Sequence, residues 1–319
     1  MTNYIIRRLM LNIVVLWFVA TLVFMGTHAL PSDFAEKRAA VTFQTSNQEE
    51  AIDFARKELG LDRPLWRQYT SFIGELARLD LGTSYETGRS TWSELGTRLA
   101  TTWELGSLIV LVSFGLSIPI GVISAIKQDT WIDYTLRAVS ILGVAMPVFF
   151  VAILLSLLVI EFSLFKIDVV GHPHLWSDPA DAMKLYLIPA IAGGISGGAG
   201  IMRILRSQML EVMRQDYIRT ARAKGLHDGN VWIRHALKNA MLPVLTVMGL
   251  ALSSIVGGQI ILENMFNIDG VGRYLFSRLT TRDFPPFQGT ILLIAAVIVT
   301  VNLGVDLAYG WLDPRIRYS

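Results

Sequence analysis

Side chains capable of catalysis are few in this sequence, and they are dispersed along it. The chain contains no cysteine, which excludes disulfides, thiolate metal ligands and a cysteine nucleophile. Serines occur in apolar stretches without a G-x-S-x-G motif, and no G-x-x-x-x-G-K-S/T motif is present to bind ATP. His172-Pro173-His174 is a weak candidate for metal binding. We therefore expect no catalytic residue and no metal site, and an intramembrane protease is disfavoured.

Two polar side chains lie four residues apart in the last apolar stretch. Asn302 and Asp306 would share one face of a helix. A carboxylate is costly in lipid, so Asp306 could serve a proton-coupled carrier. We favour a structural, hydrogen-bonded role, because no second intramembrane acid stands opposite it. Glu104 and Glu263 lie near the ends of two other apolar stretches, and we expect both at the membrane interface.

Long apolar stretches must position these side chains. Charged residues make up 17% of the chain, against about 25% in soluble domains, and the mean hydropathy is +0.47. Inside lipid every backbone N–H and C=O needs a partner within its own segment, which predicts helices. The expected fold is an all-α polytopic membrane protein with six transmembrane helices, near Leu9–Leu30, Thr101–Ile126, Tyr134–Ile160, Tyr186–Leu205, Met241–Leu262 and Gln288–Trp311.

Basic residues indicate how these helices cross the membrane. With the N-terminus in the cytoplasm, the cytoplasmic segments hold fourteen lysines and arginines and the two short outer loops hold five. We therefore predict that both termini are cytoplasmic. The first apolar stretch is long enough to span the bilayer, which favours an uncleaved helix over a signal peptide. The predicted divisions are 1–30 (first helix), 31–98 (outer segment), 99–311 (core of five helices) and 312–319 (cytoplasmic tail).

The outer segment 31–98 has the pattern of a folded unit. Residues 47–60 place Phe54 and Ala55 on one helical face with charges elsewhere, and a second amphipathic stretch follows at 68–79. The turn at Leu61-Asp62-Arg63-Pro64 separates them. We predict a small helical cap on the outer face. Two roles stay open, namely packing on the helical bundle alone and docking of a delivery protein.

Small residues and prolines modify several of the predicted spans. Gly193, Gly194, Gly197 and Gly198 form two small-xxx-small pairs, which permit close helix packing. The alternatives are a flexible break that lines a pore and an interface with a partner protein in the membrane. Pro119 and Pro147 should bend or locally break the second and third spans.

The loop at 206–240 is rich in basic residues yet keeps helical spacing. The pattern predicts a helix from Met209 to Lys224, a turn over Gly225–Gly229 and a second helix over Asn230–Asn239. Such a hairpin could lie on anionic lipid, could be a retained basic loop, or could insert into the groove of a partner protein. The residues alone leave these three readings open.

Ordered motifs along the chain resemble the permease subunits of binding-protein-dependent ABC importers, in particular the dipeptide/oligopeptide/nickel family. The hairpin is similar to the cytoplasmic "EAA" loop of these permeases. Aligned on Gly225, the glutamate of the general motif falls on Arg219 and the first alanine on Thr220. The matching segments are Leu59–Pro64, Asp80–Tyr85, Thr102–Leu105, Asp216–Leu226, Arg234–Pro243, Glu263–Phe266, Gly270–Arg273 and Leu312–Arg317.

The resemblance implies a type I ABC importer permease fold in the bacterial inner membrane. It implies four kinds of protein or lipid partner, which are a second homologous permease, two ATPase subunits, an extracytoplasmic substrate-binding protein and the bilayer, with no nucleic acid. ATP and Mg²⁺ would bind to the ATPases, and this chain would hold no cofactor. The ATPase-coupling residues would be Asp216, Tyr217, Arg219, Thr220, Ala221, Arg222, Ala223, Lys224, Gly225 and Leu226, and the matching tail residues are Asp313, Pro314 and Arg315.

The expected function is non-catalytic, as half of the pore of an ATP-driven importer of di- or oligopeptides. Nickel, glutathione or another small solute is the alternative cargo within the same importer class. A secondary carrier is the rival from another class, and it would show inverted repeats and ion-coordinating acids at the midplane. Neither feature is visible in the sequence.

Overall fold

The computed structural model describes residues 2–29, 35–36, 48–58, 60–165, 171, 173–257 and 259–312. Regular structure in these ranges is helical, apart from one isolated bridge between Thr83 and Ser90. The helices in chain order are α1 (Thr2–His28), α2 (Gln48–Glu58), α3 (Leu65–Ala77), α4 (Thr91–Ile126), α5 (Trp131–Ala145), α6 (Val148–Glu161), α7 (Pro179–Met213), α8 (Asp216–Ala223), α9 (Asp228–Asn230), the π-helix π1 (Val231–Leu237), α10 (Lys238–Gly257), α11 (Ile260–Met265), α12 (Val271–Thr281) and α13 (Phe284–Leu312).

Several of these helices are long and apolar enough to cross a membrane. Four qualify among the described residues, within α1, α4, α7 and α13, and the count is five if the pair α5–α6 is one span. The chain is therefore polytopic and all-helical in its described part. The helix α4 begins at Thr91, so the predicted boundary at 98/99 falls inside it.

The third predicted span is divided into two helices. It consists of α5 and α6, whose axes meet at 113°. Pro147 has no N–H to donate and disfavours helical geometry in the residue before it, and Met146 is accordingly extended with φ −81° and ψ 130°. The break predicted at Pro147 is therefore confirmed. Pro119, in contrast, lies within the unbroken helix α4.

The closest helix packing is between α4 and α7, and glycines make it possible. A Cβ atom on Gly194 would lie 2.7 Å from Cβ of Val112, and one on Gly198 would lie 2.8 Å from the carbonyl oxygen of Ser113. A Cβ atom on Gly193 would lie 2.9 Å from Cδ1 of Ile109. Gly197 is looser, with 3.5 Å to the Ser113 hydroxyl. These positions favour packing within the chain over a free pore lining.

The outer segment is anchored to the ends of α1, α12 and α13. Asp283, fully buried, accepts hydrogen bonds from the Ser84 hydroxyl (2.5 Å) and the Tyr85 backbone N–H (2.9 Å). Burial raises the pKa of Asp283 and, with help from the nearby carboxylates, raises that of Tyr85 to about 12. On the predicted apolar face of α2, Ala55 is buried and Phe54 is 61% exposed.

Replacing Gly194 with alanine tests the α4–α7 contact. The added methyl group must displace Val112 or the backbone at Ser113, and such overpacking costs about 1–3 kcal/mol. We expect a lower Tm for Gly194→Ala in thermal unfolding followed by tryptophan fluorescence. The matched control is Gly200→Ala on the same helix, where nothing lies within 4 Å of the new atom. Equal Tm values for the two variants would contradict this packing.

Candidate functional site

The basic hairpin begins with a break that the sequence pattern did not predict. The helix α7 ends at Met213, and the extended residue Gln215 (φ −74°, ψ 148°) separates it from α8. The predicted continuous helix from Met209 to Lys224 is therefore wrong. The turn that follows α8 has its predicted glycine, since Gly225 has φ +77°, which glycine adopts without steric cost.

The hairpin turns one side into the protein. Ile218 and Ala221 on α8 are buried in an apolar cluster with Ala125 at the end of α4 and with Leu205 and Met209 on α7. The small side chain of Ala221 therefore serves packing within the chain, and it does not face a partner's groove. Burying this side fixes the orientation of α8 relative to the ends of α4 and α7.

The second arm of the hairpin is continuous with the next long helix. Val231 and Ala236 on π1 are buried in the same apolar cluster. The predicted helix over Asn230–Asn239 does not stop at Asn239, because π1 runs directly into α10. The side-chain amide of Asn239 donates to the Tyr217 hydroxyl at 3.1 Å and ties the two arms together. A movement of α8 would therefore be transmitted to both α7 and α10 through these contacts.

The other side of the hairpin is exposed and carries its charges. The side chains of Asp216 and Arg219 are 95% and 74% exposed and lie 3.4 Å apart. Arg222 pairs with Asp228 at 3.3 Å across the turn. Exposed ion pairs of this kind contribute little to stability, so their charges are available to a partner. The other exposed positions of the predicted coupling set are Tyr217, Thr220, Ala223, Lys224, Gly225 and Leu226.

An ion pair beside the hairpin was missed in the sequence. Asp133, at the start of α5, is fully buried and accepts two hydrogen bonds from Arg206 of α7, at 2.8 and 2.6 Å. It also accepts from the Ser124 hydroxyl at 2.6 Å and the Asp129 N–H at 3.1 Å. The available signal was an acid directly before an apolar stretch. The predicted span began one residue later, at Tyr134, and left it out.

Glu263 is buried, and its contacts explain the glycines of the Gly270–Arg273 motif. Its carboxylate accepts hydrogen bonds from the Thr102 hydroxyl (2.7 Å) and from the N–H groups of Gly272 (2.7 Å) and Arg273 (3.0 Å). It thus caps the N-terminus of α12. A Cβ atom on Gly270 would collide with this carboxylate, and one on Gly272 would lie 2.7 Å from Cα of Ile260, so both positions require glycine. Burial raises the pKa of Glu263, and these hydrogen bonds oppose that effect.

Glu104 is also buried within the protein. It accepts a hydrogen bond from the Leu175 N–H at 3.3 Å and lies 3.2 Å from Nδ1 of His174. Its other oxygen has no hydrogen-bond partner among the described residues. His172 lies outside the described residues. Within the described ranges no group of three His, Cys, Asp or Glu side chains could hold a metal ion.

A second charged cluster joins the outer segment to α12. Arg278 is buried and pairs with Glu86, with Glu94 (3.6 Å) and with Asp283 (3.3 Å). The guanidinium groups of Arg98 and Arg278 lie 4.8 and 4.9 Å from the ring centre of Tyr274. These contacts connect residues nearly 200 positions apart in sequence, which explains why no local pattern predicted them.

The remaining predicted residues lie near the C-terminus. Asn302 on α13 has an interaction partner within the structure, so it is not a free polar group. The side chain of Asp306 and the tail residues Asp313, Pro314 and Arg315 lie outside the described residues. Their predicted roles stay predictions.

Comparison with known families identifies the class of this chain. A family model described as binding-protein-dependent transport system inner membrane component matches residues 117–318. A second model, for the N-terminal part of the same membrane components, matches residues 1–109. The chain belongs to this family, the membrane-embedded permease components of ABC importers, which confirms the resemblance found in its motifs.

Curated relatives match over the whole length. The chain is 37% identical to the Dipeptide transport system permease protein DppB of Alkalihalophilus pseudofirmus and 37% identical to that of Escherichia coli K12. It is 35% identical to the Glutathione transport system permease protein GsiC of Escherichia coli O6:H1. Each alignment covers 100% of this chain and 100% of the relative.

The buried ion pair yields a stability prediction. Asp133→Ala leaves the Arg206 guanidinium, which is only 16% exposed, without its carboxylate, and breaking a buried pair in this way costs about 3–5 kcal/mol. We expect a large fall in Tm and in the yield of folded protein. Asp181→Ala is the matched control, because it breaks an exposed pair with Lys184 and should leave the Tm nearly unchanged.

A double variant separates the cost of leaving one charge unpaired from the cost of losing the ion pair itself. Asp133→Leu combined with Arg206→Met removes both charges and should recover most of the Tm. An Asp133→Ala protein as stable as the unmodified chain would show that the pair does not hold α5 against α7.

Proposed function

We propose that this chain forms half of the translocation pore of an ATP-driven importer. A second homologous permease supplies the other half, two ATPase subunits bind at the hairpin, and an extracytoplasmic binding protein delivers the substrate at the opposite face. The chain itself is non-catalytic. It holds no cofactor, and ATP and Mg²⁺ are bound by the ATPase subunits.

The proposal includes a specific topology. The chain crosses the inner membrane six times, with α10 as the fifth crossing and the pair α5–α6 as one bent crossing. Both termini and the hairpin then lie in the cytoplasm, and α2 and α3 lie in the outer cap. Membership of an inner-membrane family and the excess of basic residues on the hairpin side support this arrangement.

The two-sided hairpin is the observation that carries the proposal. Its inner side is buried on α4 and α7 through Ile218 and Ala221, while its outer side is charged and solvent-exposed. A ligand shifts a conformational equilibrium only through its different affinity for the two states. ATP must therefore favour one closure of the ATPases, and the buried side of the hairpin passes that closure to the membrane helices.

We propose di- or oligopeptides as the transported substrate. The support is the full-length similarity to permeases named for dipeptide transport. Glutathione is itself a small peptide, and the relatives named for its transport are nearly as similar. Nickel and other small solutes remain the alternative cargo of the same importer class.

Ala223→Trp tests the docking of the ATPases. Ala223 is exposed and lies beside Arg222, so an indole should block close approach of a partner without disturbing the buried cluster. We expect dipeptide uptake by the complete assembly in proteoliposomes to fall roughly tenfold or more. Changes at the centre of a protein interface commonly weaken binding by at least this factor. Permease yield and Tm should not change.

Ala77→Trp is the control, since Ala77 is an exposed alanine on α3, far along the chain from the hairpin. Its uptake and ATP hydrolysis should match those of the unmodified assembly. Undiminished, fully coupled uptake with Ala223→Trp would overturn the proposed docking site. Uptake by this chain alone, driven by an ion gradient without ATPases, would instead support the secondary carrier.

A further inference from the structure

The amphipathic helix α3 lies against the last two turns of α1. The Tyr69 hydroxyl is 2.8 Å from the Thr21 hydroxyl, and the Tyr69 ring packs edge-on against Phe24 with 5.3 Å between ring centres. Phe72 packs on the same Phe24 ring at 5.6 Å. The side-chain oxygen of Gln68 lies 3.1 Å from a ring nitrogen of His28. The contact therefore extends from Thr21 to the end of α1.

These contacts give the approximate depth of α3, if α1 crosses the bilayer along its normal with Arg8 at one edge. Arg8 stands at one end of the apolar run of α1, and the hydrocarbon layer is about 30 Å thick. At about 1.5 Å per residue, Thr21 lies about 20 Å from Arg8 and Phe24 about 24 Å. Phe24 is thus about 6 Å inside the far edge of the hydrocarbon layer. This depth follows whichever way α1 crosses the membrane.

The two flanks of α3 on either side of that contact differ in polarity. Arg67, Ser71 and Glu75 recur at intervals of four residues, share one flank and line a cavity of about 310 Å³ with a mixed polar and apolar lining. Trp66 and Ile73, seven residues apart, share the opposite flank. Trp66 is 63% exposed and its neighbour Leu65 is 59% exposed.

The apolar flank resembles the neighbouring surface of α1, which also exposes large apolar side chains. Met25, one residue beyond Phe24 on α1, is 62% exposed on a helix that crosses the bilayer. Amphipathic interfacial helices insert their apolar side about 5–10 Å into the boundary between headgroups and acyl chains, which matches the depth of α3. Tryptophan is enriched at this level.

We propose that α3 is an interfacial helix whose Trp66–Ile73 flank is inserted in the leaflet at the C-terminal end of α1. The occupant of this surface is lipid. The other flank, with Ser71 and Glu75, faces the cavity of the outer segment. The inference requires only that α1 crosses the bilayer, so it stands apart from the proposed ATPase docking.

Spin labels can measure the proposed depth, because the chain has no native cysteine. Single variants Trp66→Cys, Ile73→Cys and Ser71→Cys would be labelled in the full chain, assembled with its partner subunits in phospholipid nanodiscs. Met25→Cys supplies a lipid reference on α1, and Asp62→Cys supplies an aqueous reference in the turn before α3. The readout is relaxation of each label by oxygen, which partitions into lipid, and by a water-soluble nickel chelate.

We expect the oxygen-to-nickel accessibility ratio at positions 66 and 73 to lie within about twofold of that at 25 and roughly fivefold or more above that at 62. Position 71 should resemble position 62. A nickel-dominated signal at both 66 and 73 would overturn the proposal in favour of a water-exposed cap. Low accessibility to both reagents at these positions would overturn it in favour of a protein that covers α3. Ile73→Cys retains Trp66, so the test survives if Trp66→Cys fails to fold.

Discussion

The buried ion pair between Asp133 and Arg206 is the constraint on which the arrangement around the hairpin depends. Removing a carboxylate and a guanidinium from water costs several kcal/mol per ion, and only good geometry with further hydrogen bonds offsets that cost. Two bonds from Arg206 and two more from Ser124 and Asp129 meet the requirement. The end of α4, the start of α5 and the end of α7 are therefore held in one arrangement.

The hairpin packs directly beside this ion pair. Its apolar cluster includes Ala125 and Leu205, the residues directly beside Ser124 and Arg206, so the ion pair and the cluster form one contiguous unit. The same unit begins α5, the first arm of the pair that bends by 113° at Pro147. A partner that moves the charged outer side of the hairpin would move a rigid block rather than a loose loop. The opposite ends of the helices are fixed separately, by the buried acids Glu263 and Asp283.

The sequence predicted what depends on local pattern. Apolar stretches indicated the helices, Pro147 indicated the break, and the motif around Gly225 indicated the hairpin and the family. Three kinds of feature could not be predicted. The side of α8 that is buried depends on packing against distant helices, so Ala221 was assigned to a partner surface. The break at Gln215 has no proline or glycine to mark it. The partners of Asp133, Glu263 and Arg278 lie far away in sequence.

The most direct test of the account asks what the exposed side of the hairpin touches in the working assembly. A photo-crosslinking amino acid would be placed at Ala223 in the complete complex, in membranes, and irradiated during ATP-driven uptake. The account predicts a covalent product between this chain and an ATPase subunit, and no such product when the crosslinker is placed at Ala77. A product with lipid alone at position 223, while the ATPases remain bound to the complex, would contradict it.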